Sequence, residues 1–256
     1  MYKNIFDTHA HYDDEKFDGD RAEVLSLVQN SGVSNIIDCG CDLKSSLAAV
    51  SLSEEYDFIY AAVGVHPHEA EEASENDFSE IKKLYSLQKV VAVGEIGLDY
   101  HYDFSPRDRQ LAVFERQLIL ANELNLPVIV HDREAHEDTL KLLKKHRPKG
   151  VVHCFSGSAE SAREITALGM YIGLGGAVTF KNAKKPLEVA AVVPDDRLLL
   201  ETDCPYMSPV PFRGKRCDSS LIPYSAQVIA GVRQTDTQAL IDMCCENAHR
   251  LFGVCE

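Results

Sequence analysis

The chain has no apolar run approaching the roughly 18 residues that span a membrane, no Cys-x2-Cys pair and no excess of basic side chains. The first absence removes any candidate transmembrane helix, and the polar, charged N-terminus lacks the apolar segment of a secretory signal, so a soluble cytoplasmic protein is expected. The second bears on the eight cysteines, Cys39, Cys41, Cys154, Cys204, Cys217, Cys244, Cys245 and Cys255. Several lie inside apolar runs as small hydrophobes, and they read as reduced thiols rather than as disulfides or a zinc–thiolate cluster. The third absence is one of sign: 26 Lys and Arg face 40 Asp and Glu, a formal net charge of -14. Such a surface does not hold duplex nucleic acid through many phosphate contacts, so a phosphate-bearing ligand must be gripped locally.

What is present suits one large α/β domain over residues 1–256, with 45% hydrophobic and 26% charged residues and ample material for a core. Short β-rich runs alternate with helical stretches. Strands are expected at 4–9, 35–40, 58–65, 90–97, 127–132, 150–155, 170–176 and 197–203. Between them, Pro106 opens a long amphipathic helix whose buried stripe is Leu111, Phe114 and Leu118, and Gly169 stops another helix. Eight strands alternating with helices over about 250 residues is the pattern of a (β/α)8 TIM barrel.

The chemistry-bearing residues recur at the ends of those strands. His9 and His11 end the first, His66 follows the third, Glu95 sits in the fourth, and His131, His153 and Asp203 end the fifth, sixth and eighth. Barrel active sites form at the C-terminal ends of strands, so these groups converge on one mouth. The strand period of two puts His9 and His11 on one face, where both imidazoles can meet one cation. Buried ionisable groups are costly unless paired or bound to metal, which makes a metal site the economical reading of the set. Six donors exceed what one hydrolytic metal needs. Two divalent ions sharing Glu95 would use them all, with His9, His11 and Asp203 completing one site and His131 and His153 the other. Asp203 can also accept the proton of an attacking water. His66 is expected to touch substrate or support the ligands, and Arg213, on a Pro/Gly-rich loop, to bind phosphate. Arg133 is expected to pair with Asp138 or Glu137, and His68, His101, His136, His146 and His249 to be surface or structural.

In order along the chain, His9-Ala10-His11, Gly64-Val65-His66-Pro67, Gly94-Glu95-Ile96-Gly97-Leu98-Asp99, His131-Asp132-Arg133, His153-Cys154-Phe155-Ser156-Gly157, Glu201-Thr202-Asp203-Cys204-Pro205 and Arg213-Gly214-Lys215 resemble the TatD family of metal-dependent deoxyribonucleases, within the amidohydrolase-like barrels. The resemblance covers nearly the whole chain, from Asp7 to Phe252. It implies a divalent-metal phosphodiesterase that trims DNA from the 3′ end, and it assigns ligand roles to His9, His11, Glu95, His131, His153 and Asp203. After Arg213-Gly214-Lys215-Arg216 the family usually continues Asn-Glu-Pro, whereas Cys217-Asp218-Ser219 follows here, which bears on loop contacts to substrate rather than on the metals.

The expected substrate is therefore an exposed DNA end, single-stranded by first expectation, with RNA and damaged sites also open. Two other readings stay open: hydrolysis of a carboxylic ester or amide, such as an aminoacyl ester on tRNA, by the same kind of site, and a non-enzymatic scaffold keeping a structural zinc. A structural site would be closed and richer in thiolates. Imidazole-rich ligation suits zinc, manganese or iron, and carboxylate and phosphate oxygens suit magnesium, so the identity of the ion stays open, with Mg2+, Mn2+ and Zn2+ the first candidates. Oligomeric state is also open.

Overall fold

A computed structural model describes residues 1–254 of the chain; Cys255 lies outside the described residues. Eight parallel strands follow chain order around one sheet: β1 (Ile5–Ala10), β2 (Val33–Cys39), β3 (Ile59–Val63), β4 (Val90–Asp99), β5 (Val128–Arg133), β6 (Gly150–Val152), β7 (Tyr171–Leu174) and β8 (Leu198–Leu200). The ring is drawn together where Ala10 bridges Cys204 in parallel and the Thr8 hydroxyl donates to the Leu200 carbonyl at 3.0 Å. Between and after the strands run α1 (Arg21–Asn30), α2 (Leu43–Glu55), α3 (Glu75–Leu84), α4 (Arg107–Leu124), α5 (His136–His146), α6 (Ala159–Ala167), α7 (Lys184–Val192), α8 (Ile222–Arg233) and α9 (Thr237–Phe252). This is the expected (β/α)8 barrel.

Period two divides the strand side chains between two cores. Ile36, Ile59, Val128, Val130, Ile172 and Leu200 pack outward against helix residues such as Leu25, Phe114, Leu143 and Val189. Ile37, Cys39, Ala62, Ile129, Val151 and Leu199 form a separate cluster. Stepping two residues along from Cys39, Ile129, Val151 and Leu199 reaches Cys41, His131, His153 and Glu201, so this inner cluster is the apolar floor under a ring of polar groups.

The helix stripes differ from expectation in one instructive place. On α4, Phe114 and Leu118 are fully buried but Leu111 only partly, while Gln110 and Gln117 are buried on the same helix. Gln117 accepts from Val65 N at 2.8 Å and donates to Val65 O at 2.9 Å; Gln110 accepts from Asp99 N at 2.9 Å and donates to Asp99 O at 3.1 Å. The two amides satisfy backbone groups of Val65, just past β3, and of Asp99, the last residue of β4, and so fix the segments carrying His66 and Asp99.

β6 and β8 are also shorter than expected, leaving His153 and Asp203 beyond the ladders. At β8 the reason is local: Thr202 N is taken by the buried Asp7 carboxylate at 3.0 Å, and Asp203 adopts φ 61. Asp is one of the few side chains that tolerate this left-handed conformation.

Candidate active site

The structure brings His9, His11, His66, Glu95, His131, His153 and Asp203 to one end of the barrel, where most of them line a cavity of about 590 Å³. Glu95 is at its centre, 3% exposed. One oxygen, Oε2, faces His9 Nε2 at 3.4 Å and His11 Nε2 at 3.6 Å. The other, Oε1, faces His153 Nε2 at 2.8 Å, His131 Nδ1 at 2.9 Å and His66 Nε2 at 3.5 Å. Asp203 Oδ1 closes the first group, 3.5 Å from His11 Nε2 and 3.7 Å from His9 Nε2.

Backbone and side-chain partners set which ring atoms are presented. His11 Nδ1 lies 2.8 Å from the Cys39 carbonyl, which can only accept, so Nδ1 keeps its proton and Nε2 is the nitrogen that would ligate; without a cation, and although burial opposes it, the hydrogen bond with Asp203 carries this ring well above its ordinary value. His131 lies between two carboxylates, with Nε2 3.0 Å from Asp99 Oδ2. Donation from Nε2 to Asp99 leaves Nδ1 facing Glu95. His66 is arranged in the opposite sense: its Nδ1 accepts from His68 N at 3.2 Å, so the neutral ring carries its proton on Nε2 and points a donor into the cavity. His9 and His153 stack, with centroids 3.7 Å apart and planes 10° from parallel.

Electrostatics follow this packing. Burial acts to raise the Glu95 carboxyl, but His153, His66, His9 and the hydrogen bond from His131 outweigh it and hold Glu95 well below the usual carboxylate range. Burial pushes His9 and His66 down to about 4. His131, although burial opposes it, is carried up to about 9 by Asp99 and Glu95. Asp203, against the effect of burial, is held below its ordinary value by its hydrogen bond with His11 and by His9 and His153.

Imidazole nitrogens and carboxylate oxygens in groups such as His9, His11 and Asp203, or His9, Glu95 and His153, lie within 4.8 Å of one another. His9 Nε2 and His11 Nε2 are only 3.0 Å apart. Two ring nitrogens this close beside the Glu95 and Asp203 carboxylates form the donor set of a divalent cation, and the residues fit one.

Several residues of the site were not expected. Asp99 is fully buried, accepts from the backbone N–H groups of His101 (2.9 Å) and Tyr102 (2.8 Å), and meets both His131 and His68 at 3.0 Å. Period two places it on the same face of β4 as Glu95, four residues before it, and that spacing was the available signal. His68, expected at the surface or in a structural role, lines the cavity. Cys41 Sγ lies 3.8 Å from Glu95 Oε2. Glu201 accepts from Cys154 N and is raised by burial to about 8; its Oε2 and the Nδ1 of His153 are buried without hydrogen-bond partners.

Other residues have the following surroundings. The Arg213 guanidinium lies over the Phe180 ring at 3.7 Å. Arg133 pairs with neither Glu137 nor Asp138: its guanidinium lies over Tyr102 at 4.7 Å, and the Asp138 carboxylate accepts from Tyr100. The Cys217-Asp218-Ser219 departure turns inward. Cys217 and Ser219 are buried, and the Ser219 hydroxyl donates to Asp7 Oδ2 at 2.6 Å and meets Tyr12 OH at 2.8 Å. All seven described cysteines are free thiols. Among the described residues no helix is long and apolar enough to cross a membrane.

The sequence model of the family described as "TatD related DNase" matches residues 6–253. Over 253 residues the chain is 47% identical to a protein of Bacillus subtilis (strain 168) named "Uncharacterized metal-dependent hydrolase YabD", covering 98% of this chain and 99% of that one. It is 36% identical to the "3'-5' ssDNA/RNA exonuclease TatD" of Rahnella sp. (strain Y9602), covering 98% of each. Among solved structures, the TatD homolog YJJV of Escherichia coli k12 superposes with a TM-score of 0.93 at 35% identity, over 100% of both chains.

Proposed function

The chain belongs to the TatD-related DNase family, and from that premise we propose that it is a divalent-metal-dependent phosphodiesterase that removes nucleotides from the 3′ end of single-stranded nucleic acid. The observation that carries this reading is the orientation of Glu95, whose two oxygens face two different sets of donors. A pair of divalent ions, Mg2+, Mn2+ or Zn2+, fits that arrangement: His9, His11 and Asp203 would hold one and His131 and His153 the other, with Glu95 available to both. When bound, such ions lower the pKa of the attacking water and polarise the phosphoryl oxygens.

The protein's own groups then have separable tasks. Asp203, held ionised by its imidazole neighbours and only partly exposed, is the group placed to take the proton of the water. His66, with its proton fixed on Nε2, donates to a phosphoryl oxygen. Asp99 accepts from His131 Nε2, so Nδ1 would be the ligand atom once a bound cation displaces its proton. The apolar floor of the barrel excludes bulk water from beneath Glu95 and lowers the local dielectric in which these contacts act.

The test is cleavage of a 3′-labelled single strand, as DNA and as RNA, by chelated and by metal-reconstituted protein, with a panel of carboxylic esters run alongside. Strand trimming from the labelled end that stops on chelation and returns with a divalent ion is expected. Full turnover by protein verified to be metal-free, or hydrolysis confined to the carboxylic esters, overturns the reading.

A further inference from the structure

Beside the cavity, the loop after β4 carries two aromatic rings clear of the core. Tyr102 and Phe104 are 48% and 65% exposed, and neither joins an apolar cluster. They stack on each other, with centroids 5.2 Å apart and planes 20° from parallel. His68 buttresses both edge-on, 5.5 Å from Tyr102 and 4.8 Å from Phe104, and is itself tied to the buried Asp99. Asp99 also accepts the backbone N–H of Tyr102. The loop is therefore anchored to the carboxylate that orients His131, yet its aromatic surface faces solvent.

Keeping two large rings exposed forgoes their burial, so this loop lacks the explanation that a core contact would give it. Arg133 adds a second observation. Its guanidinium lies over Tyr102, it lines the same cavity as His131 and Glu95, and it makes no ion pair among the described residues. In a chain of net charge -14, a free cation beside stacked aromatic rings is a local match for a base and its phosphate.

We propose that Tyr102 and Phe104 form a stacking shelf for an unpaired nucleobase next to the cleaved phosphodiester, with Arg133 meeting the adjoining phosphate. This rests on the nuclease reading above and gives its substrate class: strand ends whose terminal bases are free to unstack, with little preference among bases, because every base offers a π-face. A base held in a duplex cannot reach the shelf without unpairing.

The test compares wild type with the Tyr102→Ala/Phe104→Ala double variant on a single strand and on the same strand carrying abasic sites at its 3′ end. On the normal strand the double variant raises KM by about 10- to 100-fold with kcat within about threefold, the size expected of base–aromatic stacking. Wild type shows the same high KM on the abasic strand, where the substitutions add nothing. Tyr102→Phe, which keeps the ring, restores the wild-type KM. An unchanged KM on the normal strand, or an equal loss on both strands, overturns the shelf. A binding arm separates this proposal from the nuclease reading: metal-loaded protein should change the fluorescence of a strand ending in 2-aminopurine, and the double variant should not. A fluorescence change without cleavage supports the shelf and refutes the nuclease, whereas cleavage without it refutes the shelf.

Discussion

Replacing Asp203 by Asn separates the proton-accepting role of this residue from its role as a ligand. The substitution preserves shape and one oxygen donor. It also preserves the backbone, because Asp203 sits at φ 61, a left-handed conformation that Asn tolerates as well as Asp. The fold should therefore be retained, with a loss of about 1–3 kcal/mol from the charged hydrogen bond with His11 that the amide replaces. Asp203→Ala would confuse the result by adding backbone strain of about 1 kcal/mol or more. What Asn cannot do is accept a proton. With Oδ1 only 3.5 Å and 3.7 Å from His11 and His9, no other carboxylate among the described residues is as well placed on that side of Glu95 to replace it. The chemical step should slow by about two to four orders of magnitude, the range of a lost general base. Single-turnover cleavage of a 3′-labelled oligonucleotide, with metal content measured on the same sample, reads both quantities. Cleavage near the wild-type rate refutes the base assignment. Loss of all bound metal would show that Asp203 acts first as a ligand.

Three further outcomes follow from the structure. Ser219→Ala removes a buried donor to Asp7, which ties β1 to the segment before Asp203; a loss of about 1–3 kcal/mol is expected, visible as a lower Tm, and an unchanged Tm would contradict it. A Cβ at Gly173 would lie 2.3 Å from Glu201 Oε2 and 3.1 Å from His153 Cα, so Gly173→Ala should displace both and weaken metal binding by about 10- to 100-fold, the effect of a disturbed supporting partner; unaltered affinity in a metal titration would refute that link. Strand binding should depend only weakly on salt, because acidic Asp13, Asp14 and Glu69 line the cavity and few phosphates can be neutralised. A log–log slope of about -2 or shallower is expected, and one as steep as for six to ten phosphates would reveal a cationic groove.

The barrel and its mouth were legible in the sequence because both are encoded by local period. Each strand is a short apolar run, and the groups that meet at Glu95 sit at or just past its end. Asp99 shared that period with Glu95, but its task depends on His131, which reaches it only through the β4–β5 register. Gly97 makes that register possible: at φ 145, a Cβ there would lie 2.0 Å from the His131 carbonyl oxygen. Gln110 and Gln117 were hidden for another reason. Buried polar residues on an amphipathic helix interrupt its stripe, and only the folded chain shows the backbone groups they satisfy. Arg213 was placed beside the mouth from loop composition, which carries no information on direction, and the Phe180 ring under its guanidinium could not be foreseen. The Tyr102–Phe104 pair gave no signal because two aromatic residues in a loop look the same buried or exposed.

On the proposed reading, the two oxygens of Glu95 serve two ions. Anomalous diffraction from crystals of the Mn2+-loaded protein tests it most directly. Two peaks flanking the Glu95 carboxylate are predicted, one within reach of His9, His11 and Asp203 and the other of His131 and His153, and Glu95→Gln should weaken both. A single peak at saturating Mn2+, or peaks that leave Glu95 uncoordinated, would contradict the account.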